Sequence, residues 1–449
     1  MSGVIGVYSK ENESVSSLIY YGLYALQHRG EISAGIAVNN NGFVDYVKDM
    51  GQVNEVFNNE TISRLRGNIA LGHVRYAASF EAKDKINAQP LVVGYKKGAL
   101  GIVLDGSIVN FRGLRDQMED MGSIFQTDLD TEVIANLIAR YHKDDFNEAI
   151  IRSLSEVKGS YAIIGMTNDR LVAARDPNGI KPLSIGKIGE DYIIASETCA
   201  FDTIGADFIR DVEPGEIVMI NDDGLSTVWS EPKKRALCLF ELVYLSRPDS
   251  TIDDKSVYIA RQEAGKQLYK EYPTKADIVI GAPDSGIVAA IGYAQGSGIP
   301  YAEGIIKNRY VGRTFIEPSQ AIREQGVRIK LNALKENIKG KSLILVDDSI
   351  VRGTTIKRTV QMLKNAGAKE VHVRISSPPV IYTCYLGVDT PSEDKLISNY
   401  MDVEELRAQI GADSLYFISL EGLVKAVGGE NGFCKGCFSG NYPVEREEL

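Results

Sequence analysis

The chain has 449 residues, 44% of them hydrophobic and 24% charged, which is an ordinary globular balance in a length that exceeds one typical core. Its formal net charge of −10 argues against a protein whose main task is to bind nucleic acid, because contacts to phosphates need a basic face. No apolar stretch reaches the ~18 residues of a membrane span, and the N-terminus lacks the features of a signal peptide. We therefore expect a two-domain cytoplasmic protein that binds neither nucleic acid nor a membrane.

The first part of the chain predicts an α+β domain. Short apolar runs separated by turns indicate strands, and amphipathic periodicity indicates helices over residues 15–27, 131–141 and 146–154. Strands and helices mixed in this way are expected to pack as layers. We place the end of this domain at residue 233, inside the polar, proline-containing segment 231–235.

The second part, residues 234–449, predicts an α/β domain. Apolar runs at 277–280, 342–346, 370–375 and 414–417 alternate with helical stretches that include 257–272, 354–365 and 403–409. Buried parallel strands joined by crossover helices produce this alternation.

One segment of the second domain indicates a phosphate site. An apolar strand ends in Asp347 and Asp348, and a turn of small and polar residues then leads into a helix that begins near Thr354. Such a turn presents free backbone N–H groups and the positive end of the helix dipole to an anion, and the two carboxylates can bind sugar hydroxyls or a divalent metal. The alternative is a surface turn capped by Asp and Thr. The length of the pattern favours the phosphate site.

The five cysteines do not predict a disulfide framework, because their number is odd. Only Cys434 and Cys437 form a close C-x-x-C pair. That spacing is compatible both with a ligand pair for a metal or cluster and with two ordinary thiols.

The strand, acid pair and turn at 343–355 resemble the fingerprint of type I phosphoribosyltransferases. Further segments at 238–250, 281–286, 306–316 and 323–328 narrow the resemblance to the amidophosphoribosyltransferases, which catalyse the first step of purine synthesis. In the first half, segments 21–30, 72–76, 87–90 and 130–132 resemble the glutaminase domain of the same family. The resemblance implies an α+β N-terminal-nucleophile (glutaminase type 2) domain followed by an α/β type I phosphoribosyltransferase domain.

The resemblance also implies a set of side chains and backbone groups that bind phosphoribosyl pyrophosphate. They are Asp284, Ser285, Gly286, Lys307, Arg309, Arg313, Asp347, Asp348, Ser349, Arg352, Gly353, Thr354 and Thr355. Ser285, Asp347 and Asp348 would hold Mg²⁺. The segment 307–330, with the further cations Arg323 and Arg328, matches a loop that closes over the substrate and stabilises the departing pyrophosphate. The alternative for a segment this basic is a solvated linker.

One branch of the family carries a 4Fe-4S cluster, and this sequence has cysteines at the corresponding points. The resemblance therefore implies that Cys238, Cys384, Cys434 and Cys437 bind such a cluster, since four thiolates are its usual ligands. Cys199 is left over and is interpreted as a buried structural thiol.

The resemblance breaks down at the glutaminase site. The family has a nucleophilic cysteine after the initiator Met, and this chain has Ser2 there, whose hydroxyl ionises far less readily than a thiol. The family forms its oxyanion hole with Asn-Gly, and this chain has Asp105 and Gly106. A carboxylate removes a hydrogen-bond donor and adds negative charge where an oxyanion must form, which costs about a hundredfold or more in rate. Arg75 and Asp130 match the family's clamp on free glutamine and are retained.

Other positions around that pocket also differ from the family. Glu31 replaces Gln, Ile32 replaces an acid, and residues 77–80 replace a threonine-glycine turn. A single Cys-to-Ser exchange would not explain these changes, so they favour natural divergence.

The sequence therefore predicts a glycosyltransferase that joins ammonia to phosphoribosyl pyrophosphate, gives 5-phosphoribosylamine and pyrophosphate, and hydrolyses glutamine weakly or not at all. A glutamine-dependent enzyme using Ser2 is a second interpretation. A non-catalytic regulatory protein that binds phosphoribosyl pyrophosphate or purine nucleotides is a third. The resemblance further implies a homo-oligomer that purine nucleotides inhibit.

Overall fold

The computed structural model describes residues 2–11, 14–76, 84–308, 331–429 and 432–446. Residues 77–80, Arg309, Arg313, Arg323 and Arg328, which the sequence analysis singled out, lie outside these ranges. Within the ranges, no helix has the length and apolar character needed to cross a membrane.

Two antiparallel sheets form the first half of the molecule. Their strands are β1 (Ser2–Tyr8), β2 (Ser33–Asn40), β3 (Phe43–Met50), β4 (Ile69–Arg75), β5 (Leu91–Tyr95), β6 (Gly98–Ile108), β7 (Gly159–Met166), β8 (Leu171–Arg175), β9 (Ser184–Ile188), β10 (Asp191–Ala195), β11 (Asp207–Asp211), β12 (Glu216–Asn221) and β13 (Gly224–Ser230). One sheet has the order β11-β9-β10-β1-β4-β2-β3 and the other β13-β12-β8-β7-β6-β5.

The two sheets pack face to face, and helices cover their outer faces. Alternate residues of both sheets meet in one buried cluster that includes Val4, Leu71 and Ile164, as period-2 side-chain alternation requires. The helices of this half are Ser16–Ala25, Val53–Val56, Asn59–Arg64, Phe111–Asp120, Asp130–Tyr141, Phe146–Ser155 and Cys199–Ile204, with 3₁₀ turns at Gln27–Arg29 and Lys85–Asn87. The three helices predicted from periodicity are confirmed within two residues.

The central strand β1 begins at Ser2 and lies between β10 and β4. Ser2 is the cross-strand partner of Arg75. The first described residue of the chain is therefore fixed inside a sheet, and its side chain lies at a buried strand end.

A four-stranded parallel sheet forms the centre of the second half. The strands of this half are β14 (Leu237–Cys238), β15 (Thr251–Ile252), β16 (Lys255–Ser256), β17 (Ile278–Gly281), β18 (Ile305–Lys307), β19 (Leu331–Ala333), β20 (Ser342–Asp347), β21 (Glu370–Ile375), β22 (Ser414–Phe417) and β23 (Phe433–Cys434). The main sheet has the order β17-β20-β21-β22, and all its pairs are parallel. The four strands predicted from apolar runs are confirmed.

Helices pack on both faces of this sheet, as parallel strands require. The helices are Val257–Glu271, Ile287–Ser297, Lys335–Ile338, Thr354–Asn365, Val403–Ile410, Leu420–Ala426 and Gly436–Ser439, with a π-helix at Glu241–Leu245 and 3₁₀ turns at Glu393–Lys395 and Ile397–Asn399. Separate buried clusters lie on the two faces.

The two halves contact each other through buried polar groups. Arg175 of β8 donates to both carboxylate oxygens of Asp253, at 2.8 and 3.0 Å, and both side chains are almost completely buried. Ser160 of β7 donates through Oγ to the backbone oxygen of Leu386 at 2.7 Å. Next to that contact, a Cβ atom on Gly387 would lie 2.8 Å from the Gly106 backbone. The loop that follows Cys384 is thus seated directly on strands β6 and β7.

Strand β4 carries a buried histidine. Nε2 of His73 lies 3.2 Å from the backbone oxygen of Leu104, and Nδ1 has no hydrogen-bond partner among the described residues. Burial, together with the positive charge of Arg75, lowers the pKa of the imidazole to about 3. His73 is therefore neutral in the folded protein at any pH near neutrality.

We expect Arg175→Gln to lower the free energy of unfolding by about 3 kcal/mol or more, because it leaves the buried carboxylate of Asp253 without its bidentate partner. The matched control is Arg64→Gln, whose ion pair with Asp45 is 3.8 Å long and largely exposed; its effect should stay below about 1 kcal/mol. Chemical denaturation measures both. Equal effects of the two substitutions would contradict the structural role of Arg175.

We expect His73 to make the protein less stable in mild acid. Its pKa is lower in the folded state than in the unfolded chain, so the unfolded chain binds a proton first as the pH falls below about 6.5, and stability is lost. The loss due to this group between pH 7.5 and pH 5 should be about 2 kcal/mol. In His73→Asn this part of the pH dependence should vanish, whatever the stability at neutral pH. His142→Asn, at a partly exposed site, serves as the control, and an unchanged slope in His73→Asn would refute the assignment.

Candidate active site

Two loops at the carboxyl edge of the parallel sheet bring the predicted phosphoribosyl residues together. Strand β17 ends at Gly281 and leads into Asp284 and Ser285, and β20 ends at Asp347. The two strands are neighbours, with Gly281 opposite Val346, so the loops that follow them lie side by side. Ligands of open parallel sheets bind at this edge.

Asp348 connects the two loops. One of its carboxylate oxygens accepts a hydrogen bond from Oγ of Ser285, and the other accepts one from Oγ of Ser349. The backbone N–H of Asp348 donates to the Asp347 carboxylate at 2.9 Å. The acid pair predicted from the sequence is thus held by hydroxyl donors from both loops.

Charged side chains of both signs surround the acid pair. Burial and the adjacent charge of Asp348 hold the pKa of Asp347 well above its usual range. Nζ of Lys307 pairs with the carboxylate of Asp284, and Arg261, a buried cation, interacts electrostatically with Asp348. A second cation, such as a metal ion, would stabilise the ionised form of both acids.

The turn after Asp348 is shaped as a phosphate cradle. Gly353 has φ of +72°, which side chains rarely adopt, and a Cβ there would lie 2.6 Å from Ile397. The helix Thr354–Asn365 begins at the next residue. Its first N–H groups have no partner within the helix. Arg352, Thr354 and Thr355 are exposed at this end, so the helix dipole and three polar side chains face the same space.

A cavity of about 950 Å³ joins these elements. The predicted residues that line it are Asp284, Ser285, Lys307, Asp347, Asp348, Ser349, Arg352, Gly353, Thr354 and Thr355. Gly286 is the residue after Ser285, and a Cβ atom at this position would lie 2.5 Å from the backbone oxygen of Val346. His28 and Tyr76 from the first half and Arg261 from the second also line it; the sequence analysis missed these three.

The four predicted cysteine ligands line the same cavity. Cys238 and Cys434 face each other in register on the short parallel strands β14 and β23. Burial and the neighbouring cysteines raise the pKa of the Cys434 thiol to about 11 and also raise the pKa values of the Cys238 and Cys437 thiols. Cys199 is separate: its buried sulfur lies 3.8 Å from the Glu197 carboxylate.

The cysteines do not form a site for a single ion. Among the described residues, no group of three or more His, Cys, Asp or Glu side chains is arranged to hold one metal ion. The electrostatic coupling of Cys437 to Cys238, Cys384 and Cys434 nevertheless shows that the four sulfurs are neighbours.

In the first half of the molecule, Ser2 is held through its backbone. Its N atom donates to Oδ1 of Asp105 at 2.7 Å, and its carbonyl oxygen accepts from Nε of Arg29 at 2.8 Å. Ser2 and Asp105 are both buried. The Asp105 carboxylate therefore contacts the N atom of the residue at the nucleophile position.

Arg29 is the centre of the charges behind Ser2. It donates to Asp105 at 2.9 Å, to both oxygens of Glu241 at 2.9 Å and to Glu197 at 2.7 Å. Nζ of Lys181 lies 3.9 Å from Asp105 and has no hydrogen-bond partner in the part of the chain that the structure describes. Burial alone would raise the pKa of Asp105. The positive charges of Lys181 and Arg29 lower it by more than burial raises it, so the pKa lies below its usual value.

The remaining predicted residues of this pocket are also in place. Asp130 accepts from the N–H of Ile108 at 3.1 Å, and burial raises its pKa although Arg75 opposes this. Gly106 has φ of +143°, and a Cβ there would meet the Ser160 oxygen at 2.0 Å. The pocket thus contains Arg75, Asp130 and Gly106, with a serine at position 2 and a carboxylate at position 105.

Family models match both halves of the chain. Residues 56–203 match a glutamine amidotransferase domain and residues 250–376 match a phosphoribosyl transferase domain. A protein named amidophosphoribosyltransferase from Bacillus subtilis is 49% identical over 450 residues, which cover 99% of this chain and 94% of the relative. One of the same name from Archaeoglobus fulgidus is also 49% identical, covering 99% of this chain and 98% of the relative.

Solved structures agree over the full length. The structure of an allosteric regulatory enzyme of purine biosynthesis matches with a TM-score of 0.94 and 48% identity, covering 99% of this chain and 97% of that one. Glutamine phosphoribosylpyrophosphate amidotransferase from B. subtilis, complexed with ADP and GMP, matches with a TM-score of 0.93 and 48% identity, covering 99% and 98%. The chain therefore belongs to the amidophosphoribosyltransferase family, with a glutamine amidotransferase domain followed by a phosphoribosyltransferase domain.

Proposed function

We propose that this enzyme transfers the phosphoribosyl group of phosphoribosyl pyrophosphate to ammonia, giving 5-phosphoribosylamine and pyrophosphate, and that it hydrolyses glutamine weakly or not at all. The observation that carries the transferase is the convergence of the acid pair, the loop with Asp284 and Ser285, and the 349–355 turn on one cavity. The relatives' shared name, amidophosphoribosyltransferase, supports it. In this proposal the first domain comprises residues 1–233 and the second comprises residues 234–449.

The residues around the cavity suit a dissociative displacement. The free N–H groups of the 349–355 turn and Thr354 would hold the 5′-phosphate, and Asp347 and Asp348 would accept the ribose hydroxyls. Ammonia attacks C1 of the ribose as the bond from C1 to the pyrophosphate oxygen breaks, and the resulting ammonium group releases a proton to solvent. Lys307 supplies positive charge near the departing group.

Mg²⁺ would bind at Asp347, Asp348 and Ser285, where its charge would neutralise the pyrophosphate. The crowding of two carboxylates that raises the pKa of Asp347 fits a site completed by a cation.

The doubt about glutaminase activity rests on Ser2 and Asp105. The residue at the expected nucleophile position is an alcohol, and the family resemblance assigns the oxyanion-hole donor to position 105, where this chain has a buried carboxylate. Losing such a donor alone costs about a hundredfold or more. The retained Arg75 and Asp130 are compatible with residual binding of an amino acid.

We also propose a 4Fe-4S cluster held by Cys238, Cys384, Cys434 and Cys437. In such a cluster each thiolate binds a different iron, and the proposal is supported by the position of all four cysteines in the wall of one cavity. Thiols with raised pKa values gain most from a metal that stabilises the thiolate. The cluster would be structural, because amide transfer moves no electrons.

A homo-oligomer in the cytoplasm, inhibited by purine nucleotides, completes the proposal. The B. subtilis structure in complex with ADP and GMP supports the nucleotide part. The second candidate function, a non-catalytic sensor of phosphoribosyl pyrophosphate, is less well supported, because binding alone does not require cations placed for a leaving pyrophosphate.

We expect anaerobically purified protein to release pyrophosphate from phosphoribosyl pyrophosphate and Mg²⁺ when ammonium is supplied at raised pH, and at a rate at least about a hundredfold lower when glutamine replaces it. Asp347→Asn with Asp348→Asn should abolish release, whereas Asp394→Asn, at an exposed position, should not change it. A coupled pyrophosphate assay measures all three. Equal rates with glutamine would show that Ser2 works as a nucleophile. Tight ligand binding without any release would favour the sensor.

We expect the same preparation to contain about four iron and four sulfide ions per chain. Cys384→Ser should lose most of both, because a hydroxyl is a poor ligand for the cluster. Cys199→Ser, the remaining cysteine, should keep the wild-type content. Metal and sulfide analysis with electron paramagnetic resonance of the reduced protein checks this, and a wild-type protein that contains zinc or no metal would contradict it.

A further inference from the structure

The ammonium group of Lys307 is paired with a carboxylate inside the cavity. Its Nζ atom donates a hydrogen bond to the carboxylate of Asp284, and both residues line the cavity of the candidate active site. A pyrophosphate group that is to bind Lys307 therefore meets a cation whose charge is neutralised by Asp284. Binding has to exchange one anionic partner of Lys307 for another.

The backbone brings these two side chains to the same edge of the parallel sheet. Val279 of β17 forms a parallel bridge with Tyr301, and the N–H of Ala302 donates to the backbone oxygen of Val279 at 2.9 Å. The two segments therefore run side by side in the same direction. One leads to Asp284, and the other leads to Lys307 at the end of β18.

Asp284 differs from the acid pair in its surroundings. Asp348 is buried and accepts hydrogen bonds from two hydroxyl groups, whereas the Asp284 side chain is 71% exposed and the Lys307 side chain 44%. An ion pair this exposed contributes little to the stability of the fold. A carboxylate in this place also repels the pyrophosphate group that the cavity is proposed to bind. The pair is therefore better explained by a role in binding than by a role in folding.

We propose that Asp284 competes with pyrophosphate for Lys307. In the ligand-free enzyme Asp284 holds the ammonium group, the pyrophosphate group of the substrate displaces the carboxylate, and Asp284 pairs with Lys307 again when the product pyrophosphate leaves. This inference rests on the proposed transferase function and changes the role of one residue within it. The family resemblance counts Asp284 among the groups that bind phosphoribosyl pyrophosphate, and here Asp284 weakens that binding.

The exchange of partners favours release of the product. If the ammonium group had no partner in the empty site, dissociation of pyrophosphate would leave its charge uncompensated, and the product would be held more strongly. Asp284 supplies that partner. Product release limits the turnover of many enzymes, and differences in affinity are expressed mainly in the dissociation rate. Asp284 acts on the ligand through Lys307 and is a positioning residue.

The direct test is the binding of pyrophosphate with Mg²⁺ to the full-length protein, measured by isothermal titration calorimetry. The four proteins are the wild type, Asp284→Asn, Lys307→Met and the double variant. We expect Asp284→Asn to bind pyrophosphate about two- to fivefold more tightly than the wild type, which is the range for an exposed ion pair. In the Lys307→Met background the same exchange should leave the affinity unchanged, because no ammonium group remains for which to compete.

Three results would overturn the inference. Equal tightening in both backgrounds would show that Asp284 acts only by repulsion. Weaker binding by Asp284→Asn would show that the carboxylate holds the ligand or its metal ion, and an unchanged affinity would show that the ion pair does not compete with the ligand.

Asp394→Asn is the matched control, because it removes an exposed carboxylate that is not among the described residues lining the cavity. It should leave the affinity of the wild type unchanged, and tightening as large as that of Asp284→Asn would overturn the inference. The side chains of Asp284 and Lys307 are both exposed, so the variants should fold like the wild type, which circular dichroism checks.

Calorimetry requires no turnover, so it separates this inference from the proposed function. The expected pattern of affinities in a protein that releases no pyrophosphate with ammonium would support the inference and refute the transferase. A wild type that turns over phosphoribosyl pyrophosphate but binds no pyrophosphate in the calorimeter would overturn the inference and keep the transferase.

Turnover with ammonium gives a second readout. In Asp284→Asn, added pyrophosphate should inhibit at about two- to fivefold lower concentration, and the KM for phosphoribosyl pyrophosphate should fall by a similar factor, whereas kcat should not rise. A merely structural role of Asp284 would lower kcat without tightening the binding of either ligand. A higher KM in Asp284→Asn would overturn the inference.

Discussion

The arrangement of this molecule depends on one guanidinium group. Arg29 lies at the end of a short turn, has no exposed surface, and binds carboxylates from three distant parts of the chain, Asp105, Glu197 and Glu241. Glu241 belongs to the second half of the chain. The Arg29 side chain therefore holds both the start of β1, at Ser2, and a contact between the two halves. Such a buried network is weak evidence for net stability, but the removal of any one of its members would leave a buried charge uncompensated.

Both candidate sites lie at strand ends, one in an antiparallel sheet and the other in a parallel sheet. In the first domain, Ser2 begins a central antiparallel strand, where it is the cross-strand partner of Arg75 in β4. In the second domain, the acid pair is at the carboxyl end of a parallel strand, where loops from neighbouring strands meet. The first arrangement gives rigidity, and the second leaves room for a phosphorylated sugar.

The sequence predicted the fold, and it predicted which residues of the second half lie together around one cavity, for identifiable reasons. Apolar runs such as 342–346 have a single structural interpretation when helices separate them, and Asp347, Asp348 and the following turn are contiguous in the chain, so their proximity needs no tertiary information. The buried network was missed because Arg29, Lys181, Glu197 and Glu241 are far apart in sequence, and no local pattern distinguishes a buried lysine from an exposed one. Arg261 was missed for the same reason. The departure at Asp105 was visible, but its contact with the N atom of Ser2 required coordinates.

The seating of the 384–390 loop on β6 and β7 has a consequence for how this chain can evolve. Ser160 and Gly106 of the first domain form the floor under the segment that carries Cys384, so the first domain is part of the wall that surrounds the cysteines. Removing the first domain would expose thiols and backbone groups that this domain now covers. The first domain can therefore lose its chemistry residue by residue, but it cannot be discarded as a unit. A substitution within the first domain leaves this wall in place, whereas the loss of the whole domain would remove it.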